Sequence, residues 1–326
     1  MTTAANADFD AAVYALTGML RIRRFEERAL ALQREGKIYG VVHPYIGQEA
    51  VAMGVCGALR SSDFVMSNHR NHGHCLAHGA DPKRMMAELL GRANGYCGGK
   101  GGSMHLVDIE RGILGADGIV GANGPYAVGS ALASLYRGDD AVTVCFTSDG
   151  ATGQGAIHEA LNLSALWDAP MVWVCENNQY ASGTPRAENF AATSIAQLGG
   201  SYGIPSYVVD GTSIAEVSAV ATEAVARARA GDGPSFIEAR VYRFMPHAVR
   251  GSAGVQDTRP AAERARWRAR DPITLLYTEL VETGQIDEAT FAAIDDEVAA
   301  TLDAAVAFAE AGPEPDVAGV HAGVFA

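Results

Sequence analysis

The chain has 326 residues, with 25 Lys and Arg against 38 Asp and Glu, and a formal net charge of −13. Hydrophobic residues make up 48% and charged ones only 19%, values of a folded chain that exclude wholesale disorder. Such an acidic balance repels phosphate backbones and argues against general nucleic-acid binding, while the low charged fraction suggests surface buried against another subunit.

The first residues carry neither a basic segment nor an apolar core, so no secretory leader is expected. No run reaches the roughly 18 apolar residues of a membrane span. Five scattered cysteines (Cys56, Cys75, Cys97, Cys145, Cys175) without a CxxC pair read as reduced thiols, and hence a cytoplasmic protein. Asp8 to Gly36 has helical apolar spacing. Residues 47–60 and 82–91 also read as helices, the second opened by Asp81-Pro82, a cap followed by proline at the first helical position. A histidine-rich connection lies between them, and glycines punctuate a long loop over 95–124.

The middle of the chain is the most regular. Ala141 to Thr147 reads as a strand ending in Ser148-Asp149-Gly150, a helix follows over 156–166, and Met171 to Cys175 reads as a second strand ending in Glu176-Asn177-Asn178. That order is a βαβ unit of a parallel sheet. Tyr207 to Asp210, a helix over 214–230 and the strand Ser235 to Arg240 extend it. Beyond Asp271-Pro272 the chain reads as helical. Asp287 to Glu310 carries seven acids and no Lys or Arg, with Phe291, Ile294, Val298, Leu302 and Phe308 near one face: a solvated helix packing one stripe inward.

In open parallel sheets, ligands bind beyond the carboxyl ends of the strands. Asp149 and Asn178 both follow strands of one βαβ unit, so they share that edge, about 5 Å apart if the strands are neighbours and about 10 Å with one strand between. A carboxylate and an amide oxygen suit Mg²⁺ that also holds phosphates. A helix starting near Ala151 would aim free N–H groups at the same place. The plainer alternative is that Asp149 caps its helix and Asn177-Asn178 is a turn. Zinc at His69, His72, His74 and His78 fits no standard spacing, and the glycines at 98–102 fit neither a P-loop nor a dinucleotide fingerprint. They read as a tight loop, and His105 and His158 as structural.

Asp-Gly followed after 26 residues by Asn-Asn resembles the thiamine diphosphate signature. Around it, in order, stand Arg23-Arg-Phe-Glu-Glu27, His43-Pro-Tyr-Ile-Gly-Gln-Glu-Ala50, His69-Arg-Asn-His-Gly-His74, Gly98-Gly-Lys-Gly-Gly-Ser-Met-His105, Gly118-Ile-Val-Gly-Ala122, His158-Glu-Ala-Leu-Asn162 and Cys175-Glu-Asn-Asn-Gln-Tyr180. From about Arg21 to Ile273 the chain is similar to the α subunit of the thiamine-dependent first component of pyruvate, branched-chain 2-oxoacid and acetoin dehydrogenase complexes. The resemblance implies an α/β thiamine diphosphate-binding fold, a mostly parallel sheet flanked by helices with helical N- and C-terminal arms. It implies one binding domain over 1–272 and a C-terminal arm over 273–326.

It further implies thiamine diphosphate and Mg²⁺ as cofactors, with Asp149, Asn178 and the Tyr180 carbonyl as metal ligands. His69 and Arg70 would hold the diphosphate, Gly150 and Ala151 would donate N–H groups, and Gly118 and Val120 would meet the aminopyrimidine. His247 would stand beside the diphosphate as a catalytic residue, with His43 and His72 as further catalytic candidates. The activating glutamate would come from a β subunit in an α2β2 heterotetramer, and the acyl unit would pass to a lipoyl acyltransferase. Four positions depart from the family pattern: Ser148, Gly153, Asn123-Gly-Pro-Tyr126 and Ala248-Val-Arg-Gly251. Alanine at 248 has no hydroxyl, which excludes a phosphorylation switch there. A non-oxidative carboligase and a catalytically silent scaffold are the rival functions.

Overall fold

The computed structural model describes residues 4–250, 257–319 and 321, with side chains from residue 10 onward. Six strands form the main sheet: β1 Phe64–Asn68, β2 Ile113–Asp117, β3 Thr143–Ser148, β4 Met171–Asn177, β5 Ser206–Asp210 and β6 Ser235–Arg240. Their order is β2-β1-β3-β4-β6-β5, and every pair is parallel. The register of β3 on β4 runs from Thr143↔Met171 to Ser148↔Glu176, so the two strands are direct neighbours.

A parallel sheet is covered on both faces, so its strands must be apolar at successive positions. Val144, Phe146, Val172, Val174 and Ile237 fill one side, under the helices α2 (Glu49–Cys56) and α7 (Ile214–Arg229). Cys145, Met171, Trp173, Cys175 and Phe236 fill the other, with α5 (Asn123–Arg137) and α6 (Gly155–Leu166) packed on them. This double coverage is why β3 and β4 read as unbroken apolar runs.

Ahead of the sheet lie α1 (Ala4–Arg34), then, after α2 and β1, α3 (Asn71–Ala77) and α4 (Pro82–Leu89). Asp81 accepts the Lys83 N–H with Pro82 at the first helical turn, as expected, and Asp271 repeats the device for α8 (Pro272–Glu282) by accepting from Ile273. In α9 (Glu288–Glu310), Val298, Leu302, Ala305 and Ala309 join one core with Leu16, Met19 and Ile22 of α1. Phe308 leaves the expected stripe and is half-exposed. The acidic face of α9 is not simply solvated: Asp295 and Asp303 pair with Arg24 and Arg28, and Glu310 with Lys37.

Two expectations need correction. Residues 95–124 are not all loop, for they contain β2 and the start of α5. β2 is an edge strand whose pairing with β1 is irregular at Val65/Met66, and Gly115 sits in it at φ +151°, which broke the alternation that would have revealed it. The helix after Asp149 begins at Gly155 rather than near Ala151, leaving a turn between. Among the described residues no helix is long and apolar enough to cross a membrane.

Candidate active site

A cavity of about 290 Å³ opens at the carboxyl edge of the sheet. Each strand around it delivers something to the wall: Asn68, His69 and Arg70 follow β1, Val120 follows β2, Ser148 and Gly150 come from the end of β3, and Asn178 and Tyr180 follow β4. His247, seven residues past β6, closes the wall. A wider cleft of about 590 Å³ runs along β5 and β6, but its Asp210 and Glu238 are already paired with Arg270 and Arg240. On the wall of the smaller cavity, Ser148 and Gly150 flank a carboxylate with both oxygens unpartnered.

That carboxylate is Asp149. It is completely buried, and neither carboxylate oxygen has a hydrogen-bond partner. It caps nothing, because the residue preceding α6 is Gln154, which makes no side-chain cap. Burial raises its pKa from 3.8 to about 6, against the pull of Arg243 and of the nearby N–H groups of Asn178 and Gly150. A buried carboxylate with both oxygens open is costly unless something cationic meets it.

The neighbours supply matching oxygens. Asn178 donates from Nδ2 to Gln48 Oε1 at 3.1 Å and accepts at Oδ1 from Arg243 Nε at 3.0 Å, which fixes which way its amide points. Gln179 then takes a left-handed φ of +73°, with its own amide donating back to Asn177. That reversal brings the Tyr180 carbonyl round beside Asn178, where Arg243 Nη2 donates to it at 3.3 Å. A carboxylate, an amide oxygen and a backbone carbonyl make an oxygen donor set that fits Mg²⁺.

Arg70 is buried; Nη1 donates to the Pro44 carbonyl at 3.0 Å, and Nη2 donates to the His247 carbonyl at 2.7 Å and lies 2.9 Å from His247 Nδ1. His43, His69 and His247 cluster beside it, with ring centroids 4.7, 5.0 and 5.5 Å apart. Burial, and then the Arg70 charge, lowers their pKa values to about 3, 2 and 3. All three are therefore neutral at pH 7. His43 Nδ1 is buried without a partner. Val120 is 41% exposed on the wall. A Cβ at Gly150 would lie 3.0 Å from the Ala181 Cβ and 3.1 Å from its Cα, tighter than ordinary contact. At Gly118 an added Cβ would lie 3.5 Å from His105 Nε2.

Two sequence candidates already have partners within the protein. His72 is buried, its Nδ1 3.1 Å from Glu26 Oε2 and its Nε2 3.0 Å from Ser103 Oγ. The Ala151 N–H donates to the Ser148 carbonyl at 3.0 Å within the turn. The histidine run diverges: His74 stacks on Phe146 and faces Ser67 and Glu176, and of that run only His69 joins a potential metal-binding group of three among the described residues.

The glycine run has another explanation. Glu88, buried on α4, accepts from the N–H groups of Cys97, Gly99, Gly101 and Gly102 at 2.7, 2.9, 2.7 and 3.1 Å. The loop wraps a carboxylate of its own chain. The sequence alone also did not single out Arg243, nor Gln48 within the His43–Ala50 motif, nor Glu176, which bonds Tyr45 and His74 at the cavity wall. Of the departing positions, Ser148 lines the cavity, Gly153 has open space around it, and Val249 pairs with Val42 in a short antiparallel ladder. Gly251 lies outside the described residues.

Comparison with known proteins follows this geometry. The family model described as "Dehydrogenase E1 component" matches residues 17–318. The α subunit of acetoin:2,6-dichlorophenolindophenol oxidoreductase from Bacillus subtilis is 44% identical over 298 residues, 91% of this chain and 88% of that one. The corresponding subunit of Cupriavidus necator is 42% identical over 298 residues, 91% of this chain and 89% of its own. The pyruvate dehydrogenase E1 component α subunit of Rhizobium meliloti is 41% identical over 303 residues, 93% and 86% of the two chains.

Proposed function

The chain belongs to the dehydrogenase E1 component family of thiamine diphosphate-dependent oxidoreductase components, and from that premise we propose its working form and the roles of its residues. It is the α subunit of an enzyme that cleaves a small 2-oxo acid or acetoin, active with a β subunit in an α2β2 assembly and passing its acyl unit to a lipoyl acyltransferase. We place it in the cytoplasm, in keeping with five free cysteines. The binding unit spans 1–272, and 273–326 is its C-terminal arm.

One observation carries the site assignment: the open carboxylate of Asp149 beside oriented oxygens of Asn178 and Tyr180. These three would hold Mg²⁺. His69 and Arg70 would hold the diphosphate, the guanidinium fork matching phosphate oxygens, and Gly150 would leave room for close backbone approach. Gly118 and Val120 would meet the aminopyrimidine. When bound, thiamine diphosphate supplies a carbon nucleophile and an electron sink for breaking a bond next to a carbonyl. The histidines act around it. Neutral His43 offers its unpartnered Nδ1 to a substrate oxygen, and His247, held through its carbonyl by Arg70, presents its ring to the same place. Neutral rings can donate or accept a hydrogen bond there without adding charge beside Arg70.

The test is co-expression with the β subunit and assay of pyruvate, branched 2-oxo acids and acetoin against a dye and a lipoyl acceptor. Dye reduction that requires both subunits and thiamine diphosphate is the expected result. Product release without any acceptor would instead indicate a carboligase. No turnover with any acceptor, despite bound cofactor, would leave a silent scaffold and sink the dehydrogenase reading.

A further inference from the structure

We infer that Arg243 is a resident cation that keeps a bare divalent ion out of the Asp149, Asn178 and Tyr180 site, so that metal and diphosphate bind only as a unit. The inference rests on the metal-site reading above and adds a charge rule to it.

Arg243 stands three residues beyond β6, with its side chain almost wholly buried. Nε donates to Asn178 Oδ1 at 3.0 Å, and Nη2 donates to the carbonyls of Tyr180 at 3.3 Å and Ser182 at 2.8 Å. Two of the three oxygens assigned to the metal therefore already face a positive charge. Arg243 is held in turn from behind: its own carbonyl accepts from Arg259 Nη1 at 2.7 Å. A guanidinium carries its charge at neutral pH.

The charge sum decides what enters. The carboxylates of Asp149 and Glu176 against the guanidinium groups of Arg243 and Arg70 are balanced before any ion arrives. A divalent cation alone would leave a strongly positive, buried cluster, which is unfavourable at low local dielectric. The negative charge of a diphosphate reverses that sum. Amide and carbonyl oxygens each have a second lone pair, so Arg243 need not leave when the pair binds. It keeps Asn178 Oδ1 and the Tyr180 carbonyl aimed at the metal position while excluding the metal on its own. It is a positioning residue rather than a catalytic one.

The test uses the assembled α–β complex stripped of cofactor, with Mn²⁺ as the probe and equilibrium dialysis counting protein-bound metal, with and without thiamine diphosphate. The wild type should bind Mn²⁺ at least about tenfold more tightly when thiamine diphosphate is present. Arg243→Gln should close most of that gap by raising the affinity for Mn²⁺ alone, while Arg243→Lys, which keeps the charge, should preserve it. A wild-type ratio near one overturns the inference without any variant, and so does an unchanged ratio in a folded Arg243→Gln protein. A third protein separates the two readings. If the extra Mn²⁺ bound by Arg243→Gln survives addition of Asp149→Asn, the metal sits elsewhere and the site assignment fails. If it is lost, the site stands and the ratio alone judges Arg243.

Discussion

Glu88 and Asp149 are both carboxylates with no exposure to solvent, each beside a glycine-containing turn, yet their surroundings are opposite. Glu88 accepts four backbone N–H groups, converging on it because Gly99 and Gly102 take left-handed φ values of +76° and +64°. Asp149 accepts none in hydrogen-bonding geometry. Burial alone therefore says little about role. The first carboxylate is the internal anion around which a loop is built, and the second is left open at the edge where a ligand is expected. A glycine-rich loop that looked suited to phosphate has been filled from within.

That contrast can be broken from the Glu88 side first. Glu88→Ala would strand four N–H donors, each costing about 1–3 kcal/mol when buried, so a loss of about 4 kcal/mol or more is expected in denaturant unfolding of the chain. A loss below about 1 kcal/mol would mean that the loop does not depend on the carboxylate. Asp149 should show itself in pH dependence instead. Its pKa is raised from 3.8 to about 6 on folding, so its penalty is full above pH 6 and disappears as pH falls toward 4. The three cavity histidines act in the opposite sense. Their pKa values fall from 6.5 to about 3, 2 and 3, so the stability they contribute is present above pH 6.5 and is lost as the pH falls below it. Asp149→Asn should therefore lose stability more steeply than wild type between pH 6 and 4, by roughly 2–3 kcal/mol over the range. Parallel pH curves for the two proteins would contradict the raised pKa.

The helical arm sets the small end of the scale. Arg24 pairs with Asp295 at 2.6 Å, half-exposed on both α1 and α9. Arg24→Gln should cost less than about 1 kcal/mol, and the cost should shrink further at high salt. A larger loss that shrinks with salt would show that the arm is held by charge rather than by the apolar seam of Val298 and Leu302 against α1.

The unit β3–turn–α6–β4 was readable in advance because both faces of its strands are covered, which forces apolar runs punctuated by a polar edge. Asp149 and Asn178 were readable for the same reason: the edge is where polar residues are left. β2 was hidden by Gly115, which breaks the alternation of an edge strand. Glu88 was hidden because a charged residue on an amphipathic helix is ordinarily expected at the surface. The partners of His72 and His74 were hidden because α3 turns about 100° per residue, so neighbours in the histidine run point to different environments, Glu26 for one and Glu176 for the other. Arg243 lay in a segment whose histidine drew the attention, and its partners Asn178 and Tyr180 come from a different strand.

We propose that Asp149 anchors a magnesium ion through which thiamine diphosphate is held. Isothermal titration of the assembled α–β complex with thiamine diphosphate, with and without Mg²⁺, tests it most directly when wild type and Asp149→Asn are compared. Wild type should require Mg²⁺ for tight binding, and the variant should lose that Mg²⁺-dependent gain while remaining folded. Equal, magnesium-dependent affinity in the two proteins would contradict the account.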